Sequence, residues 1–299
     1  MIKSPVKSGT NPHIPIMVKE VIQYLQISKT GTYIDCTIGY GGHAHQILKE
    51  LSSNGKLIGI DKDEEAIKFC KKSLSAYSNV ELFQNSYHKI KDILSISKIQ
   101  RVDGMLLDLG LSSAQLDSKS RGFSYKIDSE LDMRFDLSQN LKANDLLNIK
   151  SKKEIADIIF KYSDERRSRA IADNILKMRP IKGVFELVEA VRKSTPPKNR
   201  NKSLARVFQA VRILVNNELN ILENFLSEFC SQLSVGGRIV FISFHSLEDR
   251  IVKHALKDLS LKKKIKILTK KPLRPTQEEN FTNRRSRSAK LRAAEKILS

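Results

Sequence analysis

The sequence has no tryptophan and only three cysteines among its 299 residues. Cys36, Cys70 and Cys230 lie far apart, without the paired spacing of a zinc site or of a disulfide framework. We therefore predict reduced thiols and no bound metal. No apolar run approaches the roughly 18 residues of a membrane span, and the first residues contain no apolar segment typical of secretory signals. These absences predict a cytoplasmic protein that does not contact a membrane.

The glycine motifs that bind phosphates are also absent. A glycine cluster, Gly39, Gly41 and Gly42, follows the first β-prone run, but it has neither the G-x-G-x-x-G spacing nor the Lys-Ser/Thr of a phosphate loop. Glycines at such a turn let the backbone approach a ligand closely. The next apolar run ends at Asp61, where a carboxylate would hold ribose hydroxyls. A cofactor with a ribose but no phosphates fits this pattern, so we predict S-adenosyl-L-methionine.

A second interpretation of the same stretch stays open. Glycine-rich turns after strands are common and need not bind any ligand. Asp61 could instead cap the helix that is predicted to begin near Asp63 and Glu64.

The excess of positive charge is unevenly distributed. The net charge is +20, from 53 basic and 33 acidic side chains. Residues 119–206 hold 21 basic and 12 acidic side chains and residues 261–299 hold 13 and 3, so the rest of the chain is nearly neutral. A polyanion bound beside a near-neutral core would account for this pattern, and a basic surface kept for solubility is the alternative. A membrane surface is a weaker candidate, because the basic runs lack a large apolar face.

Short β-prone runs alternate with helical patterns after residues 1–15, which contain three prolines and are predicted to form a flexible arm. The predicted strands cover residues 33–37, 56–61, 80–85 and 102–110. This alternation predicts an α/β fold with a doubly wound parallel sheet.

The alternation stops after the fourth strand. Residues 118–202 show helical patterns only, which predicts an inserted helical domain. One long helix over 203–233 is predicted to lead to a fifth strand over 235–245, and a capping box at Ser246 to begin the next helix. The predicted domains are the first part of the sheet domain (1–118), the helical insertion (119–206) and the second part with a basic C-terminal tail (207–299).

Five longer motifs follow one another along the chain. They are Asp108-Leu-Gly-Leu-Ser-Ser-Ala-Gln115-Leu-Asp, Arg121-Gly-Phe-Ser-Tyr, Leu131-Asp-Met-Arg-Phe-Asp136, Phe208-Gln-Ala-Val-Arg-Ile and Ser243-Phe-His-Ser-Leu-Glu-Asp-Arg250. With Gly39-Tyr-Gly-Gly-His43 and Asn283-Arg-Arg-Ser-Arg-Ser-Ala-Lys-Leu-Arg292, they resemble the bacterial 16S ribosomal RNA cytosine-N4 methyltransferase family over nearly the whole chain. Two departures are Arg284, where the resemblance leads us to expect proline, and Tyr87, where phenylalanine is frequent.

The resemblance implies a class I, Rossmann-like methyltransferase fold whose insertion recognises the substrate. The substrate would be a cytidine in the decoding centre, at the P site of the small ribosomal subunit. The implied S-adenosyl-L-methionine contacts are Gly41, Gly42, His43, Asp61, Tyr87, Asp108 and Gln115. Tyr87 would lie against the adenine and Asp61 would accept from the ribose hydroxyls, although ordinary core packing would also explain Tyr87.

Cytosine N4 is a weak nucleophile because its lone pair is delocalised into the ring. A hydrogen-bond acceptor would localise that pair, and we expect it in the loop after Asp108, as a backbone carbonyl or Ser112. His245 is the second catalytic candidate, with a purely structural role at its turn as the alternative.

RNA contacts are expected from the two basic segments. The candidate partners of a base that has left its stack are Phe123, Tyr125 and Arg134. The candidate contacts to the RNA backbone are Arg285 and Arg287. Deletion of residues 283–299 is expected to weaken RNA binding more than cofactor binding. A DNA amino-methyltransferase and a non-catalytic RNA-binding assembly factor remain alternatives, and the sequence leaves the oligomeric state open.

Overall fold

The computed structural model describes residues 14–298, which form two compact units. One is an α/β unit built from the chain up to Ser112 and again from Asn220 onward, and the other is a helical unit, Ser113–Leu219. Most of the predicted N-terminal arm lies outside the described residues. Pro15, at the end of that segment, packs against Gly42.

The α/β unit contains a sheet of seven strands among the described residues, in the order β3-β2-β1-β4-β5-β7-β6. The strands are β1 (Thr32–Asp35), β2 (Lys56–Asp61), β3 (Val80–Gln84), β4 (Val102–Asp108), β5 (Leu233–Ser243), β6 (Ile265–Ile267) and β7 (Lys290–Lys296). The first five are parallel, and β7 runs antiparallel between β5 and β6. This confirms the predicted α/β fold with a parallel sheet, to which β7 adds an antiparallel strand.

Apolar side chains alternate between the two faces of this sheet. Met105 and Leu107 of β4 belong to one core cluster, and Leu106 between them belongs to the other. The helices that lie mainly in this unit are α1 (Val18–Leu25), α2 (Gly42–Glu50), α3 (Glu64–Ser73), α4 (Ile90–Ile96), α11 (Glu218–Gln232), α12 (Ser246–Leu261) and the short α13 (Gln277–Thr282). Because both faces are covered, the central strands β1, β2 and β4 are largely buried and mostly apolar, as parallel sheets require.

The C-terminal tail is a strand of the sheet, which corrects the prediction of a basic appendage. Lys290 and Arg292 of β7 form ion pairs with Asp249 at 3.0 and 2.7 Å. Burial alone would raise the pKa of Asp249, but the hydrogen bonds from Arg292 and Lys290 hold it below its ordinary value. Lys296 is buried and donates to the Leu233 carbonyl at 2.6 Å. These basic side chains stabilise the fold and are not available to a polyanion.

The helical unit confirms the predicted insertion, with different limits. Its helices are α5 (Ser113–Asp117), α6 (Ala143–Ile149), α7 (Lys152–Ser163), α8 (Ser168–Lys177), α9 (Val184–Ser194) and α10 (Arg200–Asn216). The unit extends beyond 119–206 because α10 packs against α7 and α9 along its length. The single helix predicted over 203–233 is wrong. The helix is interrupted at Asn217, whose left-handed backbone with a φ of 52° ends α10.

None of the described helices is both long enough and apolar enough to cross a membrane.

Candidate functional site

Three neighbouring strands of the α/β unit each end in a carboxylate. Asp35 ends β1, Asp61 ends β2 and Asp108 ends β4, and these strands are adjacent in the order β2-β1-β4. Because parallel strands finish at the same edge, the three side chains lie side by side where α/β sheets bind their ligands. Sequence analysis identified two of them and missed Asp35, which is 1% exposed. The missed signal was its position as the last residue of a strand.

The glycine turn is tied to the end of β2. The Gly39 amide donates to Asp61 Oδ2 at 2.8 Å, and Gly41 adopts a φ of +76° immediately before α2. A side chain at Gly41 would be strained and would meet Cys70 Sγ at 3.3 Å. Asp61 therefore holds the turn in shape. Its Oδ2 accepts from the Gly39 amide and its Oδ1 from the Asp63 amide, and a carboxylate has about four lone-pair sites in all.

The alternative role of Asp61 as a helix cap is wrong. The cap of α3 is Asp63, whose Oδ1 accepts from the Glu65 amide at 3.1 Å. Asp61 supports that cap indirectly, because its Oδ1 accepts from the Asp63 amide at 2.9 Å.

His43 and Asp108 carry buried polar atoms that have no hydrogen-bond partner among the described residues. His43 is 6% exposed, and both of its ring nitrogens lack a hydrogen bond. Its Nε2 lies 3.5 Å from Asp108 Oδ2, while Asp108 Oδ1 is without a partner. The Asp108 backbone is fixed by donation of its amide to Thr37 Oγ1 at 2.7 Å. Buried polar atoms are costly when unsatisfied, so this arrangement is suited to a ligand that supplies the missing bonds.

The carboxylates at these strand ends favour a positively charged ligand. Burial raises the pKa of Asp35 to about 7, against the opposing effect of His43, and Asp108 and Asp61 raise it further. Burial also raises the pKa of Asp61 to about 6, although backbone hydrogen bonds from Asp63 and Gly39 oppose the shift. Close carboxyl groups resist ionising together, and a cation between them relieves that repulsion.

Tyr87 follows β3 and begins a single 3₁₀ turn, Tyr87–Lys89. The end of β3 is joined to the end of β2, because the Asn85 amide donates to the Asp61 carbonyl at 2.8 Å. The Tyr87 ring packs edge-on against Phe225, with 5.5 Å between ring centroids. Core packing is therefore present, and the adenine contact stays a prediction.

The loop after β4 lies against the end of β5. The Leu109 amide donates to the Ile242 carbonyl at 2.9 Å, and Gly110 has a φ of +127°. A Cβ at Gly110 would meet the Phe244 ring at 2.9 Å, so only glycine fits there. This packing places Ser112 and His245 after the ends of adjacent strands. Both catalytic roles stay predictions.

His245 is the cap of α12, which corrects the prediction that Ser246 caps this helix. The Glu248 amide donates to His245 Nδ1 at 3.4 Å, and Glu248 Oε2 accepts from the Phe244 amide at 2.9 Å. Since Nδ1 accepts, we assign the proton of the neutral ring to Nε2, which lies 3.1 Å from Glu248 Oε1. Glu248 thus bonds the ring at Nδ1 and places its carboxylate near Nε2, which itself makes no hydrogen bond among the described residues.

Four of the predicted site residues belong to the helical unit. Phe123 is buried and stacks on Phe135 at 5.5 Å, and Tyr125 packs edge-on against Phe208 at 5.7 Å. Gln115 is buried on α5, and Arg134 is the remaining one.

Arg134 is engaged within its own loop. Its guanidinium donates through Nε and Nη2 to the two oxygens of Asp132, each at 2.8 Å, and through Nη1 to the carbonyls of Leu137 and Gln139. These contacts give Phe123 and Arg134 roles in packing the helical unit, and we propose no RNA contact for either.

The two predicted tail arginines belong to the α/β unit. Arg285 is half-buried and Arg287 is exposed, both on a 3₁₀ segment, Arg284–Ser288, that precedes β7.

The model of the MraW methylase family matches residues 10–297. The chain belongs to this family. A relative from Thermosipho africanus is 47% identical over 289 residues, which cover 95% of this chain and 98% of the relative. A relative from Fusobacterium nucleatum is 41% identical over 311 residues, with 98% and 99% covered. Both carry the name ribosomal RNA small subunit methyltransferase H, and the resemblance drawn from the motifs is confirmed.

Solved structures of lower similarity also align with the chain. An rRNA methylase from Streptococcus thermophilus aligns with a TM-score of 0.45 and 11% identity, covering 94% of both chains. TrmN from Thermus thermophilus aligns with a TM-score of 0.45 and 10% identity, covering 94% of this chain and 48% of its own.

Proposed function

We propose that this protein transfers a methyl group from S-adenosyl-L-methionine to the exocyclic N4 of a cytidine in 16S ribosomal RNA, in the decoding centre at the P site of the small subunit. The observation that carries the proposal is the row of three carboxylates beside the glycine turn, with His43 and Asp108 lacking partners, in a chain of a methylase family. The names of relatives at 41–47% identity over nearly full length support the substrate class.

The residues present fit a donor that carries positive charge and no phosphate. Asp35, Asp61 and Asp108 would repel a pyrophosphate and attract a sulfonium and an ammonium group. The Asp61 carboxylate at the end of β2 suits ribose hydroxyls, and the turn at Gly41 and Gly42 admits the methionine end. When bound, S-adenosyl-L-methionine supplies an electrophilic methyl group on a positively charged sulfur.

The chain's own contribution to the transfer is to position the acceptor. Orientation of two reactants can supply roughly 7–11 kcal/mol of a barrier. Leu109 bonds to the end of β5 and Gly110 packs on Phe244, so the loop from Leu109 to Ser112 starts from a fixed position. Its carbonyl oxygens and the Ser112 hydroxyl are the candidate acceptors for an N4–H. Such a bond localises the nitrogen lone pair and directs it at the methyl group.

His245 is better suited to positioning than to proton transfer. Its Nδ1 accepts from the Glu248 amide, and the proton assigned to Nε2 faces the Glu248 carboxylate. To accept a proton from the amine, the ring would have to abandon its cap. We therefore assign the hydrogen-bond acceptor role to the loop of Ser112, with His245 holding the neighbouring turn. The proton that N4 loses after methyl transfer passes to solvent water, because neither a carbonyl nor a serine hydroxyl is a base.

Methyl transfer from radiolabelled S-adenosyl-L-methionine to isolated small subunits tests the proposal, followed by mass spectrometry of nuclease-digested 16S RNA. We expect one N4-methylated cytidine and no incorporation into duplex DNA. Incorporation into DNA would instead indicate a DNA amino-methyltransferase. Calorimetric binding of the donor without any transfer would indicate a non-catalytic assembly factor.

A further inference from the structure

Phe281 is the most exposed large apolar side chain among residues 14–298, with 86% of its surface accessible. It lies on α13, whose other five residues are all polar. A phenylalanine that leaves its ring in water forgoes the stabilisation that burial would give. The fold of the α/β unit therefore gives no reason for an aromatic residue at this position.

The helix that carries Phe281 is firmly attached to the α/β unit. Glu279 accepts from the Met17 amide at 2.7 Å, and the Asn283 side chain donates to the Ile14 carbonyl at 3.3 Å. The hydroxyl of the fully buried Ser286 donates to the Asn280 side chain at 2.9 Å. These bonds fix α13 and the following 3₁₀ segment on both sides of Phe281, so the ring is presented on an ordered support.

The surface around Phe281 is positively charged. Arg274, Arg284 and Arg287 are exposed, and no carboxylate of the described part of the chain forms an ion pair with any of them. Residues 270–288 hold six basic and two acidic side chains, and one of those acids, Glu279, is engaged with the Met17 amide. Arg284 is three residues from Phe281, so their Cα atoms lie within about 11 Å.

We propose that Phe281, Arg274, Arg284 and Arg287 form a binding surface for unpaired RNA. The ring of Phe281 stacks on an exposed base, and the guanidinium groups contact the adjoining phosphates. Aromatic rings that bind bases in this way need a strand whose base faces are free, which a duplex does not offer. The inference rests on the proposed function, because it takes RNA to be the substrate.

The same surface is poorly suited to other occupants. A protein or a membrane would require a large contiguous apolar patch, whereas α13 contributes one apolar residue surrounded by amide, hydroxyl and charged groups, with the exposed Ile14 near its C-terminal end. Three exposed arginines without ion pairs favour a polyanion over an apolar partner.

The test uses the full chain, a short unstructured fluorescent oligoribonucleotide and the same strand annealed to its complement. Phe281→Ala should weaken binding of the single strand by roughly 5- to 100-fold, because one stacking contact is lost. Phe281→Tyr should bind normally. Ile96→Ala, which removes an exposed apolar side chain from the end of α4, serves as the matched control and should also bind normally.

Salt dependence separates stacking from charge. Phe281→Ala should leave the slope of log affinity against log salt unchanged, since stacking releases no counterions. Arg284→Ala and Arg287→Ala should each reduce that slope by about 0.7. Normal single-strand binding by a folded Phe281→Ala variant would overturn the inference. The inference would also fail if Phe281→Ala bound the small subunit weakly but the oligonucleotide normally, because that result would indicate a ribosomal protein as the occupant.

Methylation of small subunits by the wild-type chain distinguishes this inference from the proposed function. If the wild type methylates subunits while Phe281→Ala binds the single strand normally, the inference fails and the proposed function stands. If the wild type does not bind RNA and does not methylate subunits, the inference and the proposed function both fail.

Discussion

Asp35 is a buried carboxyl at the strand end nearest to both other acids, and burial raises its pKa to about 7. Its pKa in the unfolded chain is about 3.9. Because the folded pKa is the higher one, the stability that this group contributes is complete below about pH 4 and is lost as pH rises through about 7. A cationic donor favours the ionised carboxyl, so we expect donor binding to release protons and to tighten as pH rises from about 6 to 7.

Calorimetric titration with S-adenosyl-L-methionine in two buffers of different ionisation enthalpy measures this proton release. Asp35→Asn should move the midpoint of the pH dependence from near 7 towards about 6, the pKa of the remaining Asp61. Asp92→Asn, on the exposed surface of α4, is the control and should behave as wild type. Equal proton release on donor binding by Asp35→Asn and by wild type would show that Asp35 is not the group that loses its proton.

His245 allows a capping role to be separated from a chemical one. His245→Ala should lower the free energy of unfolding by roughly 0.5–2 kcal/mol, the usual cost of a lost cap, and should lower turnover with it. Asparagine is a good cap but a poor base. We therefore expect His245→Asn to recover both thermal stability and most of the turnover.

Thermal unfolding and single-turnover methylation of the same three proteins check this prediction. A His245→Asn enzyme that is stable but inactive would show that the imidazole itself takes part in the chemistry.

At the residue scale, sequence reasoning succeeded where a side chain follows directly from a local pattern. The glycine turn, Asp61 and Asp108 were all found at the ends of predicted strands. Asp35 was missed because its significance comes from Asp61 and Asp108, which only the order of the strands brings beside it. The cap that His245 forms could not be read from the sequence, because its bond to the Glu248 amide is a property of the folded turn.

At the scale of elements, the prediction for the tail changes. Removal of residues 283–299 would delete β7, expose the edge of β5 and leave Asp249 without Lys290 and Arg292. Breaking a fully buried ion pair by removing one side costs about 3–5 kcal/mol, and these part-buried pairs cost less, but the loss of the strand adds to that cost. We expect the truncated chain to lose cooperative thermal unfolding, donor binding and RNA binding together.

Circular dichroism melts and donor calorimetry of the truncated chain measure this outcome. Arg284→Ala, which changes the charge of the same segment without removing the strand, should unfold like wild type and bind the donor normally. A truncated chain that folds and binds the donor but not RNA would restore the original view of the tail as an appendage.

The parallel strands were predictable because each is a short apolar run beside a helical pattern. β7 was missed because its sequence, Lys290 to Lys296, contains four charged residues and resembles a solvated charge run. Its buried apolar residues are only Leu291, Ala293 and Ala294, and the charges of Lys290, Arg292 and Glu295 are paired with partners on α12 and β5. The break at Asn217 was missed because apolar residues continue with helical spacing on both sides of it.

At the scale of the whole molecule, the net charge of +20 overstates the surface available to RNA. Of the 13 basic residues in 261–299, Lys290, Arg292 and Lys296 are engaged within the fold. RNA affinity should still fall steeply with salt, by about 0.7 in log affinity per log salt for each phosphate neutralised on a single strand. Donor affinity should change little, because the protein carboxylates that attract the donor are buried at the strand ends and are weakly screened by salt.

Titrations of the small subunit and of S-adenosyl-L-methionine over the same salt series test this contrast. A parallel decline of both affinities would mean that salt acts on the fold. A flat RNA series would mean that the basic surface serves solubility. A steep RNA series beside a flat donor series requires the two ligands to be held by different physical means, counterion release at the surface and buried charge at the strand ends.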